Sequence, residues 1–218
     1  MAENSGQLFF VGGSADASHS ARSVPVPGLA YLPDWMAPEA CRALLAQIDA
    51  APWSAKLRRR VQHYGHRYDY GRRSVAKVVA AEDTQATAPA PPLPGWAREL
   101  AARLAAEGFL DQQADQVIVN EYQPGQGISA HVDRVPCFGP AVAALSLGSG
   151  CAMDFTRPED GTKAGVYLAA GSLCVMTGPA RYDWRHGIAA RKSDPGPAGR
   201  IPRARRVSVT FRTVLSQA

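Results

Sequence analysis

The sequence predicts an α+β domain in which two N-terminal helices support a set of short β-strands. Helical periodicity is confined to the N-terminal half of the chain. The C-terminal half contains closely spaced runs of β-branched and aromatic residues, separated by Gly, Pro and Ser. A chain of 218 residues is long enough for one domain with a complete core. No stretch approaches the ~20 apolar residues that a membrane-spanning helix requires.

Two segments have the spacing of an amphipathic helix. Pro38 suits the first turn of a helix, and apolar residues then repeat at i, i+3, i+4 and i+7, namely Cys41, Leu44, Leu45 and Ile48. The second helix is predicted from about Gly95 to Glu107, and the proline-rich segment 80–95 before it is predicted to be a loop. Residues 1–23 are predicted to be a disordered tail, followed by a single domain over residues 24–218.

Six short runs in the C-terminal half are predicted to be strands. They are Val117–Tyr122, Val142–Leu147, Cys151–Phe155, Val166–Leu168, Leu173–Met176 and Val207–Phe211. Short strands at this spacing are typical of a sandwich, a jelly roll or a barrel. Helices that precede such a strand set are expected to pack on one face of a sheet.

Basic residues are concentrated in two windows. Residues 56–77 contain eight basic side chains and one acidic one, and residues 181–206 contain eight against two. These windows carry +7 and +6, which leaves −8 for the rest of a chain whose net charge is +5. Such segregation is typical of a protein that binds a polyanion. A pair of solvated, arginine-rich loops explains the same pattern equally well.

The cysteines and the N-terminus indicate a cytoplasmic protein. The four cysteines form no C-x-x-C pair, so we expect reduced thiols and no cysteine zinc site. The first residues include Glu3 and no basic region, which does not fit a secretory signal. We expect a cytoplasmic monomer.

The histidines indicate a metal site. His131 and Asp133 form a His-x-Asp triplet, and in an extended segment both side chains leave the same face. His186 is the only candidate for a third ligand in the strand-rich half. Two imidazoles and one carboxylate form the facial triad that holds Fe(II) and leaves positions for a 2-oxo acid and oxygen. His-x-Asp alone is common, and a lone histidine is more often a core or surface residue.

The C-terminal strand carries a second polar pattern. On a strand, Arg206 and Arg212 share one face with Ser208 and Thr210, while the apolar residues between them take the other face. A buried arginine without a partner is unfavourable, so this face suggests a small dicarboxylate bound between two guanidinium groups. An edge strand would instead make the arginines ordinary charged ends. Upstream, Asn120 and Tyr122 also share one strand face and have side chains that could hydrogen-bond the same carboxylates.

Several motifs in order resemble the AlkB family of dioxygenases. They are N-E-Y-x-P-G-x-G-I-x-x-H-x-D at 120–133, SLGS at 146–149, MDF at 153–155, LCVMTGPARYDWRHGI at 173–188 and the R-x5-R of the last strand. The resemblance extends from about Gly28 to Val214. It is closest to the catalytic domain of the tRNA wobble-uridine hydroxylase branch, which the earlier RRRVQHYG segment also resembles.

The resemblance implies a double-stranded β-helix (jelly roll) core and a use for each polar pattern. It implies Fe(II) bound by His131, Asp133 and His186, with O2 as the oxidant. It further implies 2-oxoglutarate bound by Arg206 and Arg212, with hydrogen bonds from Asn120 and Tyr122. Residues 56–77 correspond to a nucleotide-recognition lid, whose expected nucleic-acid contacts are Arg58, Arg59, Arg60, His63, Tyr64, Arg67, Tyr68, Arg72 and Arg73.

The substrate stays open at the level of the sequence. Val135 stands where the bacterial DNA-repair prototype has an acidic residue, and the sequence contains neither the RNA-recognition module nor the methyltransferase of the animal wobble-uridine enzymes. The first prediction is oxidative dealkylation of a modified base in DNA or RNA. The alternative is hydroxylation of a modified wobble uridine in tRNA. A non-catalytic nucleic-acid-binding protein or a protein demethylase is a third possibility.

Overall fold

Two β-sheets form the framework of the protein. The computed structural model describes residues 8–9, 24–55, 57–69, 74–76 and 90–215, with the backbone alone for 8–9, 67–69 and 74–76. The larger sheet has the order β2 (Leu29–Leu32), β11 (Leu173–Met176), β8 (Phe138–Gly148), β15 (Arg206–Val214), β6 (Gln116–Tyr122) and β3 (Val61–Tyr64). The smaller has the order β1 (Leu8–Phe9), β10 (Lys163–Leu168), β9 (Cys151–Thr156), β12 (Arg185–Ile188) and β7 (Ile128–His131). Two hairpins, β4 (Arg67–Asp69) with β5 (Ser74–Ala76) and β13 (Ser193–Gly196) with β14 (Gly199–Pro202), complete the described strands.

Two helices cover the larger sheet, as the sequence predicts. Helix α1 (Pro38–Ala50) begins at the predicted proline, and α2 (Gly95–Ala106) begins at the predicted glycine. Helix α2 ends one residue before the predicted end because Glu107 caps it, and the Glu107 carboxylate accepts hydrogen bonds from Trp35 and Arg103 at 2.6 Å. None of the helices in the described ranges is long and apolar enough to cross a membrane.

Strand β15 lies in the middle of the larger sheet, between β8 and β6. Its apolar residues Val207, Val209 and Phe211 are buried in the core beneath the two helices. Since strand side chains alternate, Arg206 and Ser208 face the other way, toward the smaller sheet. The alternative of an edge strand with ordinary charged ends is therefore excluded.

A second core lies between the two sheets. Residues of both sheets contribute to it, including Tyr122 and Val142 of the larger sheet and Phe155, Val166 and Ile188 of the smaller one. Buried polar side chains continue this layer, namely Asn120, Asp133, Ser146, His186, Arg206 and Ser208. The polar patterns recognised in the sequence therefore converge between the sheets.

Each of the six predicted strands lies within an observed strand, and the four cysteines are free and buried. One prediction needs correction, and the structure adds detail to a second. Residues 8–9, predicted to belong to a disordered tail, pair in parallel with β10, while residues 1–7 and 10–23 lie outside the described residues. Residues 61–64, predicted to belong to a lid, form β3 and pair with β6 through four consecutive residues.

A buried carboxylate ties Arg60 to this framework. Glu121 has a side chain that is 3% exposed and accepts hydrogen bonds from Arg60 at 2.6 and 2.7 Å and from Arg205 at 2.6 Å. Arg205 also pairs with Asp49 of α1. The hydrogen bond from Arg60 is the largest cause that lowers the pKa of Glu121 to about 2, even though burial acts to raise it. We call these four residues the Glu121 network.

Glu121→Gln is expected to lower the free energy of unfolding at neutral pH by about 1–3 kcal/mol. Two arginines lose their shared anion, but their side chains are 46% and 34% exposed, so water compensates part of the loss. The folded pKa of about 2 lies below the ordinary 4.5, so this stabilisation is present above pH 4.5 and is lost as the pH falls toward 2. Urea denaturation of both proteins across this range measures it, with Glu39→Gln on the exposed face of α1 as a control. A difference between the two proteins that does not narrow toward low pH would contradict this role.

Candidate metal centre and cosubstrate site

The three predicted metal ligands meet where β7 and β12 run side by side. His131 is the last residue of β7 and lies opposite His186 of β12 in the antiparallel register, with ring centroids 4.5 Å apart. Asp133 follows two residues later, and its Oδ1 lies 3.5 Å from Nε2 of His131. One ligand atom from each residue lies within 4.8 Å of the other two. The sequence motif supplies two members, and strand pairing brings the distant third to them.

The hydrogen bond of His131 sets its tautomer. Its Nδ1 lies 2.8 Å from the backbone carbonyl of Ser129. A carbonyl oxygen only accepts, so Nδ1 carries the hydrogen in the neutral ring and Nε2 keeps its lone pair. Nε2 is the atom that faces Asp133. The hydrogen bond at Nδ1 therefore holds the ring of His131 in the orientation of a metal ligand.

The charges around Asp133 favour the protonation states that a cation needs. Burial acts to raise the pKa of Asp133, but the Arg212 charge and the interactions with His131 and His186 outweigh it and hold that pKa well below its usual range. Burial lowers the pKa of His186 to about 4, against the opposing effect of Asp133. At neutral pH the site therefore presents one carboxylate and a neutral His186, and metal binding requires ligands in these forms.

Arg181, to which the sequence assigned no role, fixes the backbone of Asp133. It lies on the short helix α3 (Gly178–Tyr182) and is 2% exposed. Its guanidinium donates to the carbonyl of Asp133 at 2.6 Å and to those of Phe138 and Gly139 at 3.3 Å. The feature of the sequence that could have indicated this role is that Arg181 lies in the same motif as His186. Only the structure shows that it spans from that motif to the His-x-Asp loop.

Arg206 lies on the inward face of β15 with most of its hydrogen-bonding capacity unused. It is 2% exposed, and its Cζ lies 5.5 Å from the centroid of the Tyr122 ring. Within the described part of the chain its Nη2 donates to Ser146 Oγ at 2.8 Å, while Nε and Nη1 are buried without a hydrogen-bond partner. A buried guanidinium left in this state is unfavourable unless an anion binds it.

Arg212, at the other end of the same face, contacts the triad itself. Its Nε lies 3.1 Å from Oδ2 of Asp133, an ion pair that lacks the alignment of a hydrogen bond. Asn120 and Tyr122 are buried on the neighbouring strand β6, where they lie opposite Ser208 and Arg206. All four residues predicted to bind the cosubstrate are therefore on one inter-sheet face, and Arg212 at one end of it reaches the triad.

Comparison with known proteins decides the family. Residues 28–212 match the 2OG-Fe(II) oxygenase superfamily. The chain belongs to this superfamily. It is 34% identical over 218 residues to the tRNA (carboxymethyluridine(34)-5-O)-methyltransferase ALKBH8 of Macaca fascicularis. The matched region is 86% of this chain and 30% of that protein. It is 32% identical over 217 residues to the probable RNA/DNA demethylase ALKBH6 of Danio rerio, with 86% of both chains covered. Within the superfamily the protein is an AlkB-family dioxygenase, as its motifs predict.

The fold of this AlkB-family dioxygenase is shared with solved 2OG oxygenases. The structure of OsALKBH1 superposes with a TM-score of 0.68 over 89% of this chain and 100% of that one, at 16% sequence identity. The predicted jelly-roll core is confirmed.

The residues present fit the cofactors of the family, which are Fe(II), 2-oxoglutarate and O2. Two imidazoles and a carboxylate are the donor set of non-haem Fe(II) oxygenases. Among the described residues, Nε and Nη1 of Arg206 have no hydrogen-bond partner. This guanidinium is suited to a carboxylate of 2-oxoglutarate, because Nη2 together with either of these nitrogens can donate two parallel hydrogen bonds.

A cavity of about 380 Å³ adjoins the triad strands. Ala130 and Gly187, the chain neighbours of the two triad histidines, line it together with Asp154. Arg58 and Arg59 line it as well. Burial raises the pKa of Asp154. The cavity therefore combines arginines from the first basic window with residues adjacent to the candidate metal centre.

The three arginines 58–60, predicted to contact nucleic acid, have different surroundings. Arg58 is exposed at the cavity. Arg59 is half-buried and donates from Nε to Asn120 Oδ1 at 2.9 Å. Arg60 is held by Glu121. The prediction did not distinguish these positions, and Arg58 is the one most open to a phosphate.

Tyr64, predicted to contact nucleic acid, lies in the hydrophobic core, and the structure does not support that contact. It is 8% exposed, packs edge-on against Trp96 at 5.9 Å and donates to Gln62. Alternation along β3 turns Tyr64 toward the helices and His63 toward the face of Asn120. Arg67 and Tyr68 are in β4, but their side chains, like Arg72 and Arg73, lie outside the described residues.

Much of the second basic window is engaged within the protein. Asp194 is 1% exposed and accepts hydrogen bonds from Arg191 and Arg203, and Arg205 belongs to the Glu121 network. With Arg181 and Arg206 buried as described above and Arg200 donating to Ser193, six of the eight basic residues serve internal contacts. The charge count therefore overstates the polyanion-binding surface in this window.

Proposed function

We propose that this enzyme oxidatively dealkylates a modified base in nucleic acid, using Fe(II) held by His131, Asp133 and His186. The 2-oxoglutarate is bound by Arg206, with Arg212, Asn120 and Tyr122 on the same face. One observation carries the proposal: Arg206, whose buried Nε and Nη1 have no hydrogen-bond partner among the described residues, faces the inter-sheet space beside the triad strands. The cavity lined by Arg58 and Arg59 supports an anionic polymer as substrate.

The chain's own residues prepare the site for this reaction. Arg206 neutralises a carboxylate of 2-oxoglutarate in a space from which the two sheets exclude water. Arg212 keeps Asp133 ionised, and Arg181 fixes the backbone that carries it. When bound, iron and 2-oxoglutarate supply the oxidation of a C–H bond by O2, with one oxygen atom entering the substrate and the other entering succinate as CO2 leaves. Hydroxylation of an N-alkyl carbon gives a hemiaminal, which releases an aldehyde and restores the base.

Hydroxylation of a modified wobble uridine in tRNA is the second candidate. The 34% identity to ALKBH8, a protein whose name includes a tRNA uridine at position 34, favours it. The chain spans about 30% of that relative, so the relative's methyltransferase activity is not part of this proposal. Hydroxylation at a carbon-linked side chain gives a stable product, and the same iron site serves either outcome.

Product analysis separates the two. The Fe(II)-loaded enzyme is incubated with 2-oxoglutarate and either N-methylated DNA and RNA oligonucleotides or total tRNA, with Asp133→Ala as the control. Formaldehyde with restored bases is the expected result. A nucleoside that gains one oxygen atom, without formaldehyde, would replace dealkylation by hydroxylation. Turnover of 2-oxoglutarate with neither product from any of these nucleic acids would overturn the nucleic-acid assignment.

A further inference from the structure

We propose that Arg59 is a positioning residue that couples nucleic-acid binding at the cavity to 2-oxoglutarate binding at Asn120. Arg59 lines the cavity, and its Nε donates to Oδ1 of Asn120 at 2.9 Å. It thus contacts both places. This inference rests on the proposed function, because it takes Asn120 as a ligand of 2-oxoglutarate.

The position of Asn120 places its amide in the cosubstrate space. In the register of the larger sheet, Asn120 lies opposite Ser208, and Ser208 lies opposite Ser146. Arg206 Nη2 donates to Ser146 Oγ, so the guanidinium reaches toward this row of three polar side chains. An acceptor bound by the free nitrogens of Arg206 therefore lies on the same inter-sheet face as the Asn120 amide.

The contact with Arg59 fixes the orientation of that amide. A guanidinium can only donate, so the atom of Asn120 that faces Arg59 must be the oxygen. The Nδ2 hydrogens are then left for an acceptor on the cosubstrate. Without Arg59 the amide is free to rotate by half a turn and present its oxygen to a carboxylate, which is repulsive. Arg59 thus favours the orientation that binds 2-oxoglutarate.

The backbone on both sides of Arg59 is anchored to the sheet. The Arg58 carbonyl accepts a hydrogen bond from Gln126 Nε2 at 2.8 Å. The Arg60 carbonyl accepts one from the backbone N–H of Glu121 at 3.0 Å. Anchoring by β6 and by the β6–β7 connection presents Arg59 to Asn120, while the exposed Arg58 stays available at the cavity.

Occupation of the cavity therefore strengthens cosubstrate binding. A nucleic acid that contacts residues 58 and 59 restricts Arg59, so less conformational entropy is lost when 2-oxoglutarate orders the Asn120 amide. By linkage, 2-oxoglutarate tightens nucleic-acid binding by the same factor. The coupling needs no movement of the triad.

The first test measures 2-oxoglutarate affinity without nucleic acid, by anaerobic titration of the Fe(II) protein and by calorimetry of the Mn(II) protein. Arg59→Lys keeps the charge but loses the Nε donor, and affinity is expected to fall roughly tenfold, as for a lost charged hydrogen bond. Asn120→Ala is expected to cause a similar loss, and the double variant no further loss. Arg42→Ala, an exposed arginine of α1 paired with Glu39, controls for a change of surface charge. Additive losses, or unchanged affinity in either single variant, would overturn the contact as a determinant of binding.

The second test repeats the titration with saturating unfractionated tRNA, or with single-stranded DNA where the wild type binds that better. Wild-type affinity for 2-oxoglutarate is expected to rise severalfold, and Arg59→Ala is expected to lose that rise while it still folds by circular dichroism. A rise of equal size in Arg59→Ala would overturn the coupling. A wild type that binds neither polymer would overturn the proposed substrate class and the coupling with it, whereas the first test would still decide the Arg59–Asn120 contact.

Discussion

Replacement of His131, Asp133 or His186 by alanine is expected to remove 2-oxoglutarate turnover while the fold survives. These residues are the one group of potential ligands that the described part of the chain brings within 4.8 Å. Loss of residues that merely support a metal ligand costs ~10–100-fold in affinity or activity, so loss of a ligand itself is expected to cost ~100-fold or more. Succinate formation and metal content after dialysis measure the effect.

Two further variants separate ligation from packing. Asp133→Ala leaves Arg212 without its anion at 3.1 Å, so Asp133→Asn, which keeps the shape of the side chain, is the better probe of ligation. Asp160→Asn removes an exposed carboxylate that pairs with Arg157 in the β9–β10 turn, and it controls for the loss of one negative charge. A triad variant that still makes succinate at the wild-type rate would contradict the assignment.

Replacement of Arg206 is expected to have the second largest effect, on the requirement for 2-oxoglutarate. A lysine lacks the planar fork that binds a carboxylate through two hydrogen bonds, so Arg206→Lys is expected to raise the apparent KM for 2-oxoglutarate by ~10–100-fold. Titration of the Fe(II) enzyme measures it, with Arg157→Lys on the surface as a control. An unchanged KM would mean that a residue other than Arg206 binds the carboxylate of 2-oxoglutarate.

Arg206 also offers a test that does not depend on activity. Its Nε and Nη1 are buried and have no hydrogen-bond partner within the described ranges, so Arg206→Met is expected to leave the melting temperature unchanged or to raise it. Excess 2-oxoglutarate with Mn(II) should stabilise the wild type and not this variant. Arg181 provides a contrast, because its guanidinium is satisfied by three carbonyls and Arg181→Met is expected to lower the melting temperature.

The sequence by itself determined the features that depend on short-range periodicity. Residues two apart on a strand share a face, so the spacing of Arg206 and Arg212 was sufficient to predict one polar face and one apolar face for β15. The same rule placed His131 with Asp133, and the spacing of four apolar residues after Pro38 was sufficient to locate α1. Motif order then identified the family, which brought His186 into the metal site.

The tertiary structure decided which charges are free. Arg60 pairs with Glu121, which is 61 positions away in the chain, and Arg181 reaches a carbonyl 48 positions away. Tertiary packing also decided the place of Tyr64, which lies in the core against Trp96. A count of arginines cannot distinguish a phosphate ligand from a partner of a buried carboxylate. The difference lies in the strand pairing and helix packing that bring distant residues within hydrogen-bonding distance.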